Sequence, residues 1–252
     1  MTTHNRCFQR PMTLTATLMA TLLGLSACSD GDPKNAGAPE PSKQAVGTST
    51  PPPPSYSAEQ IRAALLGPKE IGKDIRETAA EVGALETRQA PMCSYSGVAL
   101  TGKPDITIRQ FANSARGRDE IRYAQLVARY DDSAEAERSF AALEKAARAC
   151  PPRRHVPSKK VEKNRTRLAH DDTWKVTAST VAGWRGLRGI EQQTYPPSAS
   201  KFNVFHFMYD YAVRGNVVIA TVYWERTEPK KSGDPIARRA TELLTKQLQK
   251  FG

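Results

Sequence analysis

The residues of this chain whose types and spacing could do chemistry fall into three groups. Ser198-Ala199-Ser200-Lys201 has Ser-x-x-Lys spacing, which works when a helix sets the lysine one turn from the serine, where it can assist proton transfer. Here the tetrapeptide follows Pro196-Pro197 and runs into an apolar strand pattern, without a Ser-Asp-Asn or Lys-Thr-Gly companion, so no serine chemistry is assigned to it. His170-Asp171-Asp172 offers an imidazole and two carboxylates to a hard cation, but a polar turn ahead of a strand explains it equally well. No Gly-x-Ser-x-Gly elbow, phosphate-binding loop or His-Glu-x-x-His helix occurs. Catalytic residues, metal ligands and cofactors are therefore all read as none. The third group is cationic: Arg153, Arg154, Lys159, Lys160, Lys163, Arg165 and Arg167 stand against Glu162 alone. Guanidinium and ammonium groups at that density bind phosphate or carboxylate, or simply keep a solvated loop soluble.

What a basic segment meets depends on its compartment, and residues 1–28 decide that. Arg6 and Arg10 precede an apolar run of 14 residues from Met12 to Leu25, and Ser26-Ala27 lead to Cys28. A helix needs roughly 20 apolar residues to cross a bilayer, so this run is short for a span and has the form of a secretory signal. Leu25-Ser26-Ala27-Cys28 resembles the lipobox of bacterial lipoproteins. That resemblance implies removal of residues 1–27 as a signal peptide, acyl chains on the Cys28 sulfur, and a chain fastened to the outer face of the cell membrane. Residues 28–55, Pro-, Ser- and Gly-rich and ending in Pro51-Pro52-Pro53-Pro54-Ser55, cannot bury enough apolar surface to offset their ordering entropy and read as a disordered tether. Such a tether reaches roughly 30 Å.

The formal charge of the whole chain is +11. Without Arg6 and Arg10 it is +9, and residues 29–55 hold Asp30, Asp32 and Glu40 against Lys34 and Lys43, which leaves +10 on residues 56–252. A domain this basic outside the cell meets anionic lipid and anionic wall polymer first, and export sets nucleic acid aside. Of the four cysteines, Cys7 leaves with the signal and Cys28 takes the lipid. Cys93 and Cys150 remain, an even pair in an oxidising compartment, and are read as a disulfide.

The elements that position these groups follow from periodicity. Ser57 to Gln60 has capping-box spacing before a short helix. Gly67-Pro68 starts another, in which Ile71, Ile75, Ala79 and Val82 recur at helical spacing up to Gly83. Ile106 to Phe111 and Ile121 to Tyr130 read as an antiparallel pair. Asp132 opens a helix whose stripe of Ala136, Phe140, Leu143, Ala147 and Cys150 ends at Pro151-Pro152. Residues 153–167 lack apolar periodicity and read as a loop with a short strand at most. Trp174 to Ala178 and Ile190 to Tyr195 read as strands. Between them Gly183, Gly186 and Gly189 surround Trp184 and Arg185, either as a bend that exposes both at a cleft mouth or with Trp184 packed under a turn. Phe205, Phe207, Tyr209, Tyr211 and Val213 share one strand face, as core or as the lining of a lipid-sized cavity. Val217 to Trp224 is apolar enough for a strand buried on both faces. Asp234, read as an N-cap, and Pro235 open the last helix.

Strand, turn, strand, helix thus occurs twice, at 106–150 and 203–251. The expected class is α+β: one domain over residues 56–252, an antiparallel sheet with helices packed on one face and one disulfide. Three segments, Leu65-Leu66-Gly67-Pro68-Lys69-Glu70-Ile71, the Ala-rich helix Phe140 to Cys150, and Asn216-Val217-Val218-Ile219 before the terminal helix, resemble the PknH-like extracellular sensor domain family. Members occur outside certain bacterial Ser/Thr kinases and in freestanding lipoproteins. The resemblance implies a ligand cleft and no catalytic activity. Members typically have two disulfides, whereas this chain can form only Cys93–Cys150. Without a kinase domain, signalling would pass through a membrane partner. The resulting expectation is a non-enzymatic, membrane-anchored sensor for an anionic envelope ligand, contacted by Arg153, Arg154, Lys159 and Lys160 with Trp184 and Arg185 at the rim. A lipid carrier using the aromatic row, and a cell-wall hydrolase with an unrecognised site, are the rival expectations.

Overall fold

A computed structural model describes residues 52–79, 82–162 and 165–252. The signal run, Cys28 and the tether up to residue 51 lie outside the described residues. In chain order the elements are α1 (Ala58–Ala64), α2 (Pro68–Ile71), β1 (Arg76–Glu77), α3 (Gly83–Glu86), β2 (Ala90–Pro91), β3 (Gly97–Val98), β4 (Asp105–Ala112), β5 (Arg122–Arg129) and α4 (Ser133–Ala149). They continue with β6 (Arg153–Val156), β7 (Lys159–Glu162), β8 (Arg165–Arg167), β9 (His170–Val181), β10 (Trp184–Thr194), β11 (Val204–Arg214), β12 (Val217–Thr227) and α5 (Asp234–Gln249). Eight strands form one antiparallel sheet in the order β1-β4-β5-β12-β11-β10-β9-β6. The α+β class, the two strand-turn-strand-helix units and the Cys93–Cys150 disulfide are all present.

The two long helices cover opposite faces rather than one. Ala124, Leu126 and Ala128 of β5, Val218, Ala220 and Val222 of β12, and Phe207, Tyr209 and Tyr211 of β11 pack with Phe140, Leu143 and Ala147 of α4. The alternate residues, among them Val127, Ile219 and Met208, pack with Leu243, Leu244 and Leu248 of α5. The reason lies in β5 and β12: both are buried on both faces, and an apolar strand pair with two dry faces needs a cover on each. The aromatic row is therefore core, with Phe207, Tyr209 and Tyr211 at most 1% exposed.

Other local expectations are corrected. The helix from Pro68 stops at Ile71; Asp74 turns the chain through the left-handed region at φ 57°, and Ile75 is buried ahead of strand β1 instead of on a helix. Asp234 is the first residue of α5, capped by Gly233. Segment 153–167 forms three strands: β6 pairs with β9, and β7 with β8.

The two ends of the sheet are built differently. The described chain enters at the end holding the β9–β10 and β11–β12 turns. Tyr56 N–H donates to Asn216 Oδ1 (2.7 Å), and Asn216 Nδ2 donates to the carbonyls of Tyr56 (3.2 Å) and Tyr130 (3.0 Å). Gly215, at φ +56°, lies so close to the Pro54 carbonyl that a Cβ there would come within 1.7 Å of it. Tyr56 stacks on Trp184 at 5.8 Å, and Phe251 meets both rings edge-on. The far end holds the starts of β5, β9 and β11 and the ends of β6, β10 and β12.

Candidate anion-binding surface

The cationic segment is built as an edge and a projecting hairpin at the far end of the sheet. Arg153 and Arg154 lie on edge strand β6, opposite Thr173 and Asp172. Strand pairing then sets Lys159 directly across from Arg167 and Lys160 across from Thr166. Cβ atoms of directly opposed residues stand about 5 Å apart, and like charges in that position destabilise the pair. Arg153, Lys159, Lys160 and Arg167 are all exposed. Arg154 differs, since its Nη2 donates to Asp172 Oδ2 at 3.3 Å. The cation that the sequence reading left out of the site is thus Arg167. Its signal was symmetry about residues 163–164, which only the hairpin register makes visible.

Trp184 and Arg185 are not part of this surface. Trp184 is fully buried in the cluster with Tyr56 and Phe251, so it forms no rim. Arg185 is exposed but committed: it pairs with Glu137 and Glu144 of α4 and lies over the Phe140 ring at 4.5 Å. Arg185 is registered with Thr180 and Arg154 with Asp172, so eight residues of β9 separate the two groups, about 26 Å at roughly 3.3 Å per residue.

A row of rings links the hairpin to the centre of the sheet. His170 stacks on Tyr195 at 4.4 Å, Tyr195 meets Phe205 at 5.0 Å, and Phe205 meets Trp224 at 5.5 Å. The Arg226 guanidinium lies over Phe205 at 4.2 Å. Burial pushes the Tyr195 hydroxyl up, as does the Asp172 charge, while Arg167 and Arg226 pull the other way.

Beneath β6 lies a polar cluster that no sequence motif announced. Ser94, in the left-handed region at φ 52° next to Cys93, donates its hydroxyl to Asp172 Oδ2 at 2.6 Å and its N–H to Glu191 Oε2 at 2.8 Å. Tyr209 OH and Gln193 Nε2 also donate to Glu191, at 2.9 and 2.7 Å. Burial first, and then the Asp172 charge, push the Glu191 carboxyl up, against the hydrogen bonds from Gln193, Ser94 and Tyr209. In a Ser-His-Asp triad the serine hydroxyl is hydrogen-bonded to an imidazole. Here the hydroxyl meets a carboxylate, and His170 Nε2 stands 3.3 Å from the other oxygen of Asp172 without hydrogen-bond geometry. The adjoining cavity measures about 10 Å³, room for a water at most. The cluster fastens the disulfide-bearing turn to β9 and β10.

Lys201 of the Ser-x-x-Lys tetrapeptide pairs with Glu228 at 2.9 Å, and the Ser200 hydroxyl accepts from Phe202 N–H. Among the described residues no group of three or more His, Cys, Asp and Glu could hold a metal, and no helix is long and apolar enough to cross a membrane.

No family model matches this chain, and no curated protein matches it in sequence. Two solved structures are similar in fold. The extracellular domain of PknH from Mycobacterium tuberculosis is 12% identical over 77% of this chain and 97% of its own, with a TM-score of 0.43. PA94 from Pseudomonas aeruginosa, a protein of unknown function, is 14% identical over 58% of this chain and 87% of its own, with a TM-score of 0.29.

Proposed function

We propose that this chain is a non-catalytic extracytoplasmic sensor or binding module, held to the cell membrane through Cys28, that takes an anionic envelope ligand on its β7–β8 hairpin and the adjoining edge strand. The observation that carries this reading is the direct opposition of Lys159 and Arg167 on an exposed hairpin. Like charges held face to face repel, and an anion placed between them converts that repulsion into two attractions. The surface lies at the end of the sheet away from Tyr56, where the described chain begins. In this reading a membrane partner carries the signal onward.

The test is retention of the full chain on phosphatidylglycerol vesicles and on immobilised anionic wall polymer. Arg153, Lys159 and Lys160 are changed together to Glu; Arg154 stays because Asp172 needs it. At about 1 kcal/mol per cation near an anionic surface, the loss is about 3 kcal/mol, roughly a hundredfold. Wild-type retention should also weaken as salt screens the surface. Retention unchanged by the triple reversal would remove the charge mechanism.

A further inference from the structure

A second cationic site lies at the same end of the sheet, outside the hairpin. A groove of about 710 Å³ runs between the Gly117–Asp119 turn, the end of β12, the 228–233 connection and the first turn of α5. This volume is that of a site for a small organic ligand. Its aromatic wall is Phe202, whose ring is seated on Gly117 so closely that a Cβ there would come within 2.9 Å.

The cations of the groove outnumber its carboxylates. Arg118, Arg226, Lys231 and Arg239 line the walls against Asp119, Glu225 and Glu228, and Arg116, Arg122 and Lys201 join them through ion pairs with Glu120 and Glu228. The imbalance is local as well as total. Glu120 is 3% exposed and has three arginines around it, Arg226 at 2.9 Å, Arg122 at 3.1 Å and Arg116 at 3.5 Å. Glu228 has Lys201 as its ion-pair partner and feels Lys231 and Arg118 through space. Glu225 takes Nε and Nη2 of Arg239, at 2.5 and 2.6 Å, and Tyr223 meets the same guanidinium. Arg118 and Lys231, both exposed, make no side-chain hydrogen bond among the described residues and act on Glu228 only through space. The start of α5, a sixteen-residue helix, adds partial positive charge to the same wall, offset in its first turn by the Asp234 carboxylate.

We propose that this groove binds a phosphoryl group carried by a small molecule or a lipid headgroup, with Arg118 and Lys231 as the primary cations and Phe202 as the floor for the group's apolar or ring portion. Guanidinium and ammonium donors around a phosphoryl dianion form the strong, charge-assisted class of hydrogen bond.

The full chain is titrated calorimetrically with inorganic pyrophosphate and, separately, with phosphatidylglycerol vesicles. Arg118→Glu/Lys231→Glu should weaken binding of at least one probe by about tenfold or more, whereas Lys159→Glu/Lys160→Glu should leave that binding within about twofold. Loss of pyrophosphate binding marks a soluble ligand, and loss of vesicle binding alone marks a headgroup. Because Arg118 and Lys231 are exposed, both variants should keep the wild-type urea midpoint. Saturable binding of neither probe, or binding that the hairpin variant loses as fully as the groove variant, would overturn the site. The first result leaves the hairpin's retention on wall polymer standing, so the two readings fail separately.

Discussion

Replacing both half-cystines, Cys93→Ala/Cys150→Ala, should cost this domain about 4 kcal/mol. The bond closes a loop of sequence separation 57. In the chain-entropy treatment the closed loop removes about 2.1 + 1.5R ln n cal/mol/K from the unfolded ensemble, which for n near 57 gives roughly 4 kcal/mol at 25 °C. A domain of this size has about 5–15 kcal/mol in total, so the cross-link is a large share of its stability. The bond also secures the turn whose Ser94 bridges Asp172 and Glu191, so its loss frees one wall of that cluster. Alanine is chosen because both cysteines pack against the main core. The assay is equilibrium urea unfolding followed by fluorescence of Trp174, Trp184 and Trp224, all buried. With a slope of about 2 kcal/mol per molar urea, the midpoint should fall by about 2 M. A loss below about 1 kcal/mol would refute the reasoning, because it would mean the cross-link removes little freedom from the unfolded chain.

Further expectations concern groups that the sheet buries. Arg188 holds the 1% exposed Asp210 through two hydrogen bonds of 2.6 and 2.8 Å, so Arg188→Met, which strands that carboxylate, should cost about 3–5 kcal/mol, while Arg188→Met/Asp210→Leu should come close to wild type. Chemical denaturation of both variants checks this, and equal losses in the two would contradict it. The raised Glu191 carboxyl binds its proton more tightly folded than unfolded, so its contribution is fully present below the ordinary value of 4.5 and is lost as pH rises through the folded value. Wild type should therefore lose more stability between pH 5 and pH 7 than Glu191→Gln does; parallel pH profiles would say that Glu191 titrates alike in both states. Trp184→Ala should cost about 3–5 kcal/mol through the cavity it leaves. It should not alter retention of the folded protein on anionic vesicles, and reduced retention at full folding would return Trp184 to the ligand surface.

Several features were legible in the sequence because they depend on neighbours along the chain. The periods at 106–111 and 121–130 set β4 and β5, and Asp132 caps α4, its side chain accepting from Glu135 N–H at 2.7 Å. Two cysteines left for the folded part pair as expected. The apolar run Val217 to Trp224 already required cover on both faces, which contradicted the one-sided helix arrangement drawn from the pattern repeat. The cationic density of 153–167 is likewise a property of composition. Its presentation was not legible, because hairpin register sets Lys159 against Arg167 and the charge pattern alone does not.

Tertiary structure decided what lies far apart in sequence. Ser94 meets Asp172 and Glu191 across 78 and 97 residues, and no local pattern encodes such a meeting. Trp184 was ambiguous among its glycines because the partners that bury it, Tyr56 and Phe251, come from the two ends of the domain. Arg118 and Lys231 carry no signal in their own segments either. They share a groove only because the start of β5 and the end of β12 are neighbours in the sheet. Local periodicity is written residue by residue, whereas a site made of charges from four elements exists only once the strands have chosen their order.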